Sequence, residues 1–342
     1  MKYIRTYETE EKFLTDKDST SRGFRLKPTL YKYSEAGDHI VLETDDPRKH
    51  EGSTYMEITL DSDTEFSFYI GNAPDDTQTT MSCSIDWGDG TVETKTITKD
   101  DKGFKGFKLA HSYVAGSYKI ELYDVERGYS IIGSTYGSSS ISHSSSVKRV
   151  ILGSGSSTGD YALSWCNSLT SVYISKGVTS IGGYTFMYCS SLTSVYIPES
   201  VVSIGSSAFS GCTSLTSINL PEGVTYTYIG TSIFDGCTSL ISVYIPEGVD
   251  NINYQMFNGC SSLTSINIPK SVTIIDDYAF SGCSSLNTIF SLNNTAPRVG
   301  VAVGGSFNGI SRNGTLHIKP GATGYNAWLS KLPSGWTIVE DL

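Results

Sequence analysis

The chain has 342 residues, 25 Lys and Arg against 35 Asp and Glu, a formal net charge of -10 and a pI near 5.0. That acidic balance counts against nucleic acid or an anionic membrane surface as the main partner, because both call for a basic footprint. No run reaches the roughly 20 apolar residues of a membrane helix, and the length suffices for two or three domains.

Residues 1–54 are charged and weakly patterned, and Pro28, Gly37 and Pro47 interrupt any long element. Short strands are expected near Thr29–Tyr33 and His39–Glu43, joined by a turn at Glu35-Ala36-Gly37-Asp38. We read this stretch as an arm or attachment segment. From Met1 through Lys12 and Lys17, charges stand where an export signal would show an apolar core.

Residues 55–125 change to period-two alternation, as in Glu65-Phe66-Ser67-Phe68-Tyr69-Ile70 and Ser117-Tyr118-Lys119-Ile120-Glu121-Leu122. Half-buried strands of this kind need a facing sheet, so a β-sandwich is predicted. Between them Asp86-Trp87-Gly88-Asp89-Gly90-Thr91 reads as a strand running into a tight turn. Trp87 serves there as a core plug, and the carboxylates bond the turn amides. This run, with His111-Ser112-Tyr113 and Ala115-Gly116-Ser117-Tyr118 as a closing hairpin, resembles the PKD domain, a sandwich common in extracellular and adhesive proteins. A calcium site at Asp86 and Asp89 is the rival reading of the turn, but the third and fourth oxygen ligands are missing.

Residues 126–146 are rich in Ser and Gly and read either as a join or as an amino-terminal cap. Ile131-Ile132-Gly133 echoes Ser180-Ile181-Gly182 further on, which suggests an incomplete first coil.

Residues 147–290 are periodic. Cys166, Cys189, Cys212, Cys237, Cys260 and Cys283 recur at intervals of 23, 23, 25, 23 and 23, and Phe186, Phe209, Phe234, Phe257 and Phe280 repeat the same intervals. A fixed period of this size signals a solenoid. The two-residue excess around Thr225, Tyr226 and Thr227 is expected to form a surface bulge. Within the unit Cys189–Gly211, Leu192, Val195 and Ile197 should face inward around a short strand that Pro198 ends. Ile204 and Gly205 then turn the chain, Ala208 and Phe209 offer one apolar helical turn, and Gly211 frees the backbone to return. A lone coil buries too little to offset its ordering entropy, so several must stack. Like-placed cysteines then form a ladder of reduced, buried thiols, since side-by-side Cβ vectors suit a disulfide poorly.

The step Cys-x-Ser-Leu-x-Ser-[VI]-x-[IL]-Pro-x-[GS]-Val, followed by Ala-Phe or its equivalent, resembles the BspA-like leucine-rich repeat of bacterial surface and adhesion proteins. The predicted fold is thus mainly β, a PKD-like sandwich followed by a leucine-rich-repeat solenoid. Residues 291–342 supply a capping coil, of which Gly314 through Trp336 resembles this family's closing coil.

In each strand the residue between the last two inward positions must point out. That gives a row, Ile151, Tyr173, Tyr196, Asn219, Tyr244, Asn267 and Phe290, with Ser171, Ser194, Ser217, Ser242, Ser265 and Thr288 beside it. Flat rings and short hydroxyls on rigid strands suit a sugar or a protein surface. We take Tyr173, Tyr196, Asn219, Tyr244, Asn267 and Phe290 as the ligand-binding surface, although Tyr and Thr also favour strands for their own sake. Residues 147–290 hold Lys148, Arg149, Lys176 and Lys270 against eight acidic residues, a charge poverty typical of contact surfaces. Glu199, Glu222 and Glu247 form a shorter acidic row, read as solvated turn residues.

No catalytic, cofactor or metal motif emerges. Gly153-Ser154-Gly155 with Gly159 lacks a phosphate-loop lysine, and no Cys-x-x-Cys occurs. His111 is assigned to packing in the hairpin; His143 and His317 have no carboxylate at a telling sequence distance, and Asp276 and Asp277 are too close in sequence for glycosidase work. The sequence therefore predicts a non-enzymatic recognition protein, without nucleic acid or membrane insertion. Its expected partner is a host cell-surface glycan or protein, and its expected setting is a bacteriophage virion in which the arm contacts other virion proteins. The alternatives are a BspA-type bacterial surface adhesin and a scaffold with no ligand.

Overall fold

The computed structural model describes residues 3–5, 30–32, 54–71, 80–98, 106–123, 130–131, 141–142, 144–153, 158–221, 228–301 and 305–342. Leu30–Lys32 is a strand, paired antiparallel with Tyr3–Arg5. The strand expected near His39–Glu43 and the bulge expected around Thr225 lie outside the described residues.

Alternation along residues 54–123 produces two antiparallel sheets around one core. Thr54–Leu60, Gly116–Tyr123, Thr80–Asp86 and Val92–Thr98 pair in that order, while Thr64–Gly71 lies between Gly106–Tyr113 and Ser130–Ile131. The inward set, Met56, Ile58, Phe66, Phe68, Ile85, Leu109, Ile120 and Leu122, is buried. Trp87 fills the centre, with Phe68 edge-on at 6.2 Å and the His111 ring stacked at 5.0 Å. The turn is hydrogen-bonded as its carboxylates suggest: Gly88 N–H donates to Asp86 Oδ1 at 2.8 Å and Thr91 N–H to Asp89 Oδ1 at 2.9 Å. Gly88, at φ +80°, sits against the Lys119 backbone, where a Cβ would come within 2.5 Å of the carbonyl oxygen.

Sandwich and solenoid share a sheet. Val147–Leu152 pairs antiparallel with Thr54–Leu60 and parallel with Ser171–Ile174, so one nine-stranded sheet runs from Val92–Thr98 to Ser242–Tyr244. The segment read as an incomplete coil belongs to the sandwich. Ser130–Ile131 pairs antiparallel with Ile70–Gly71 instead of stacking beneath Ser180–Ile181. Ile141 is buried, and Ser142 Oγ accepts from Ser67 N–H at 2.6 Å.

Each coil contributes three elements to neighbouring coils. The first is the strand at Ser171–Ile174, Ser194–Tyr196, Ser217–Asn219, Ser242–Tyr244, Ser265–Ile268 and Thr288–Ser291. The second is a two-residue strand, Ser180–Ile181 pairing onward to Ser203–Ile204 and Tyr228–Ile229, and Asn251–Ile252 onward to Ile274–Ile275 and Arg298–Val299. The third is the segment before each Cys. It is not the helical turn expected at Ala208-Phe209 but a chain of tight turns. Tyr184, Phe186 and Tyr188 donate their N–H groups to Ser206, Ala208 and Ser210 of the next coil, whereas Met187 and Cys189 donate three residues back to Tyr184 and Phe186. An α-helical turn would spend these donors internally, and the stack would lose its third ladder.

Inside, like packs on like. Phe186, Phe209, Phe234, Phe257 and Phe280 stack at ring separations of 5.2, 5.8, 5.5 and 5.5 Å. Phe307 extends the column at 5.8 Å, and Trp328, on the short helix Asn326–Leu329, closes it at 5.5 Å. All seven cysteines are free and buried. Each thiol from Cys189 to Cys283 donates to a carbonyl of the coil behind, as Cys212 does to Phe186 at 3.1 Å and Cys237 to Phe209 at 3.1 Å. The capping region continues the array further than expected, since Asn313–Ile318 pairs parallel with Thr288–Ser291 and Gly335–Glu340 with Asn313–Ile318.

Burial pushes the thiols of Cys212 and Cys283 up to about 12. The folded chain at neutral pH should resist alkylation by iodoacetamide at all seven positions and take up reagent fully in denaturant, as read by mass spectrometry. Phe234→Ala opens a gap in the ring column and should cost about 3–5 kcal/mol in chemical denaturation.

Candidate functional site

The parallel register aligns the outward row storey on storey: Tyr173 opposite Tyr196, Tyr196 opposite Asn219, Asn219 opposite Tyr244, and Asn267 opposite Phe290. All six are half-buried, so each ring or amide lies against its neighbours and keeps one side to solvent. Ser242–Tyr244 and Ser265–Ile268 belong to separate sheets, yet their coils stay stacked, with Thr264 N–H donating to the Ile241 carbonyl at 3.4 Å. Asn219 Oδ1, set between two tyrosines, is buried and without a hydrogen-bond partner. The accompanying hydroxyl row, Ser171 to Thr288, is in the same register and partly or fully exposed.

Ile151 is not part of this surface. It is fully buried beside Tyr55, also fully buried, where the solenoid strand joins the sandwich sheet. Position in the repeat predicts exposure only where both neighbours are coils.

The structure adds members that repeat counting passed over. His317 follows Phe290 in register, its ring stacked on the phenyl at 4.6 Å, and Val339 follows His317. His317 is also not isolated from carboxylates: Nδ1 lies 2.9 Å from Asp341 Oδ1. The register offset between these last two strands is 22 residues, so Asp341 lies one storey on and two residues past Val339, the residue paired with His317. Glu247 is likewise more than a solvated turn residue, because its carboxylate accepts N–H bonds from Lys270 at 3.1 Å and Ser271 at 3.0 Å in the next coil. Glu199 is exposed, and Glu222 lies outside the described residues.

Exposed hydroxyls flanking the row are engaged with the scaffold. Thr170 donates to the Lys148 carbonyl at 3.1 Å, Thr193 to Thr170 and Thr216 to Thr193 at 3.4 Å. Ile241, 53% exposed, takes the corresponding place one coil further on and leaves an apolar spot beside Ser242.

The other edge of the first two coils carries a second set of rings. Tyr161 and Tyr184 stack at 4.5 Å with planes 2° apart, and Trp165 and Tyr188 lie 4.3 Å apart at 38°. All four have left-handed backbones, at φ 59°, 56°, 62° and 59°. That conformation costs a residue with a side chain about 1–3 kcal/mol.

Among the described residues two histidines meet carboxylates, His317 as above and His111, whose Nε2 lies 2.7 Å from Asp89 Oδ2. His111 stacks on Trp87 and meets Tyr113 edge-on at 4.7 Å, so it locks the sandwich turn. Among the described residues no group of three or more His, Cys, Asp or Glu is placed to hold a metal, and no helix is long and apolar enough to cross a membrane.

The His111 hydrogen bond, with help from the Thr91 amide, holds Asp89 below its usual 3.8. A depressed carboxylate stabilises the fold fully above the unfolded value and loses that contribution as pH falls through the folded one. Urea unfolding between about pH 2 and 7 should therefore show a steeper loss below 3.8 for the wild type than for Asp89→Asn.

Residues 136–295 match the BspA type leucine rich repeat region in six copies. Among solved structures the chain is similar to a leucine-rich repeat protein of T. pallidum, at 24% identity over 62% of this chain and 86% of that one, TM-score 0.42. It is similar to a leucine rich cell surface protein of Faecalibacterium prausnitzii, at 28% identity over 56% and 57%, TM-score 0.40. A leucine-rich repeat protein of Bacteroides ovatus aligns at 23% identity over 72% and 66%, TM-score 0.45. No curated relative matches the sequence.

Proposed function

We propose that this chain, whose residues 136–295 are a BspA-type leucine-rich-repeat region, is a non-enzymatic recognition protein whose strand face binds a glycan or protein on a cell surface. The observation that carries this reading is the register-locked row Tyr173, Tyr196, Asn219 and Tyr244. Its rings sit on strands whose main chain is already hydrogen-bonded, so they lose little further entropy when they meet a partner. No Lys or Arg occurs from residue 177 to 269, and a face so poor in cations makes contacts of shape, ring stacking and hydroxyl bonding instead of ion pairs.

The same face serves a virion component or a bacterial surface adhesin. Immunogold electron microscopy separates the two, since label on purified particles supports the first and label on cells the second.

Replacing Tyr173, Tyr196 and Tyr244 together with Ser should abolish binding of the full chain to target cells. Each change removes half-buried ring area and costs up to about 1 kcal/mol of strand preference, which thermal melting of the variant measures. A folded triple variant that still binds cells as the wild type does would sink the strand-face reading.

A further inference from the structure

We infer that Trp165 and Tyr188, flanked by Tyr161 and Tyr184, form a second binding platform, for a neutral carbohydrate chain, on the turn edge of the first two coils. It is carried by the segments before Cys166 and Cys189 and does not depend on the strand row.

The residue before each spine position is left-handed in seven successive coils: Trp165 at φ 62°, Tyr188 at 59°, then Gly211 at 72°, Gly236 at 71°, Gly259 at 71°, Gly282 at 75° and Gly309 at 72°. Glycine occupies that region without steric penalty, so the five later coils show what the fold itself asks for. In the first two coils a bulky ring stands where glycine would be free of strain.

Those rings do not serve the core. Trp165 is 48% exposed and Tyr188 is 42% exposed, whereas Trp87, Trp328 and Trp336 are buried. The pair is instead ordered by its own stacking at 4.3 Å, and the Tyr188 ring lies over Gly211, where a Cβ would come within 2.4 Å of Cδ1. Tyr161 and Tyr184, four residues earlier in each coil and half-buried, form the second stack. The result is two ring stacks on the same edge, both ending at the third coil, where Ser207 and Gly211 take their places. Backbone strain at exposed, mutually ordered rings is the mark of a surface kept for contact.

The chemistry selects a sugar. The electron-rich ring faces meet the partly positive C–H groups of a pyranose, and the tyrosine hydroxyls at the margin supply hydrogen bonds. Asp160, exposed and bonded to the Gly183 N–H at 2.6 Å, adjoins the first stack. From residue 150 to 211 the only cation is Lys176, so anionic sugars and nucleic acids find a single counter-charge in these coils, far short of a basic footprint.

Trp165 is the exposed member of the four tryptophans, so acrylamide quenching of intrinsic fluorescence reports on it directly. The full chain is titrated with neutral hexasaccharides of glucose, mannose, xylose and N-acetylglucosamine. We expect at least one to protect Trp165 saturably. The double variant Trp165→Gly, Tyr188→Gly, followed by calorimetry because it lacks the reporter, should bind that sugar at least about tenfold more weakly and melt at an unchanged or higher temperature. The Tyr173, Tyr196 and Tyr244 triple variant should keep the protection, which makes failure of this platform distinct from failure of the strand face. Protection by none of the four sugars overturns the inference. So does a glycine variant that melts lower and still binds, since the rings would then be packing the coil edge.

Discussion

The whole structure depends on one constraint: a coil of about 23 residues cannot satisfy its own main chain. Its strand, its two-residue strand and its alternate turn amides all need acceptors one storey away. Once those bonds form, the register between coils has no freedom left, and each side chain meets its counterpart. Stacked phenyl rings and thiols bonded to carbonyls of the coil behind are consequences of that register. The same logic makes the ends of the array a problem, because the first and last coils would expose both apolar surface and unpaired amides. At one end the sandwich lends the strand Thr54–Leu60, which pairs antiparallel with Val147–Leu152. At the other, Trp328 covers the final phenyl ring while its indole N–H donates to the Pro297 carbonyl at 3.0 Å.

A rigid spine leaves the outward positions free to vary, and the outward positions divide into two kinds. Some exposed groups are committed to the scaffold, such as the Thr170, Thr193 and Thr216 hydroxyls, each given to a carbonyl of the coil behind. Others form surfaces available to a partner: the strand row of rings and amides, and the ring patch at the turn edge. Exposure alone does not distinguish them. The strand row is ordered by the sheet beneath it, and the turn patch by ring-on-ring contact across a strained backbone. Neither surface carries a cation between residues 177 and 269, so both favour uncharged, shape-dependent recognition.

The period of 23, the inward set and the outward row from Tyr173 to Phe290 were legible in the sequence because solenoid neighbours are one period apart. Alternation announced the sandwich in the same way, and Asp86 and Asp89 announced their turn. Those signals share a cause, since each depends on contacts of fixed sequence spacing. Tertiary structure decided what had no fixed spacing. Ile151 has an outward repeat position but is buried, because its antiparallel neighbour comes from residue 55 and not from another coil. Ile131 copies a coil motif yet pairs with Ile70. An apolar Ala-Phe step suggested a helical turn, but amides needed by the next coil held it open. The left-handed backbone at Trp165 and Tyr188 was beyond residue preference altogether, for nothing local to those side chains favours it and only the stacked coils enforce it.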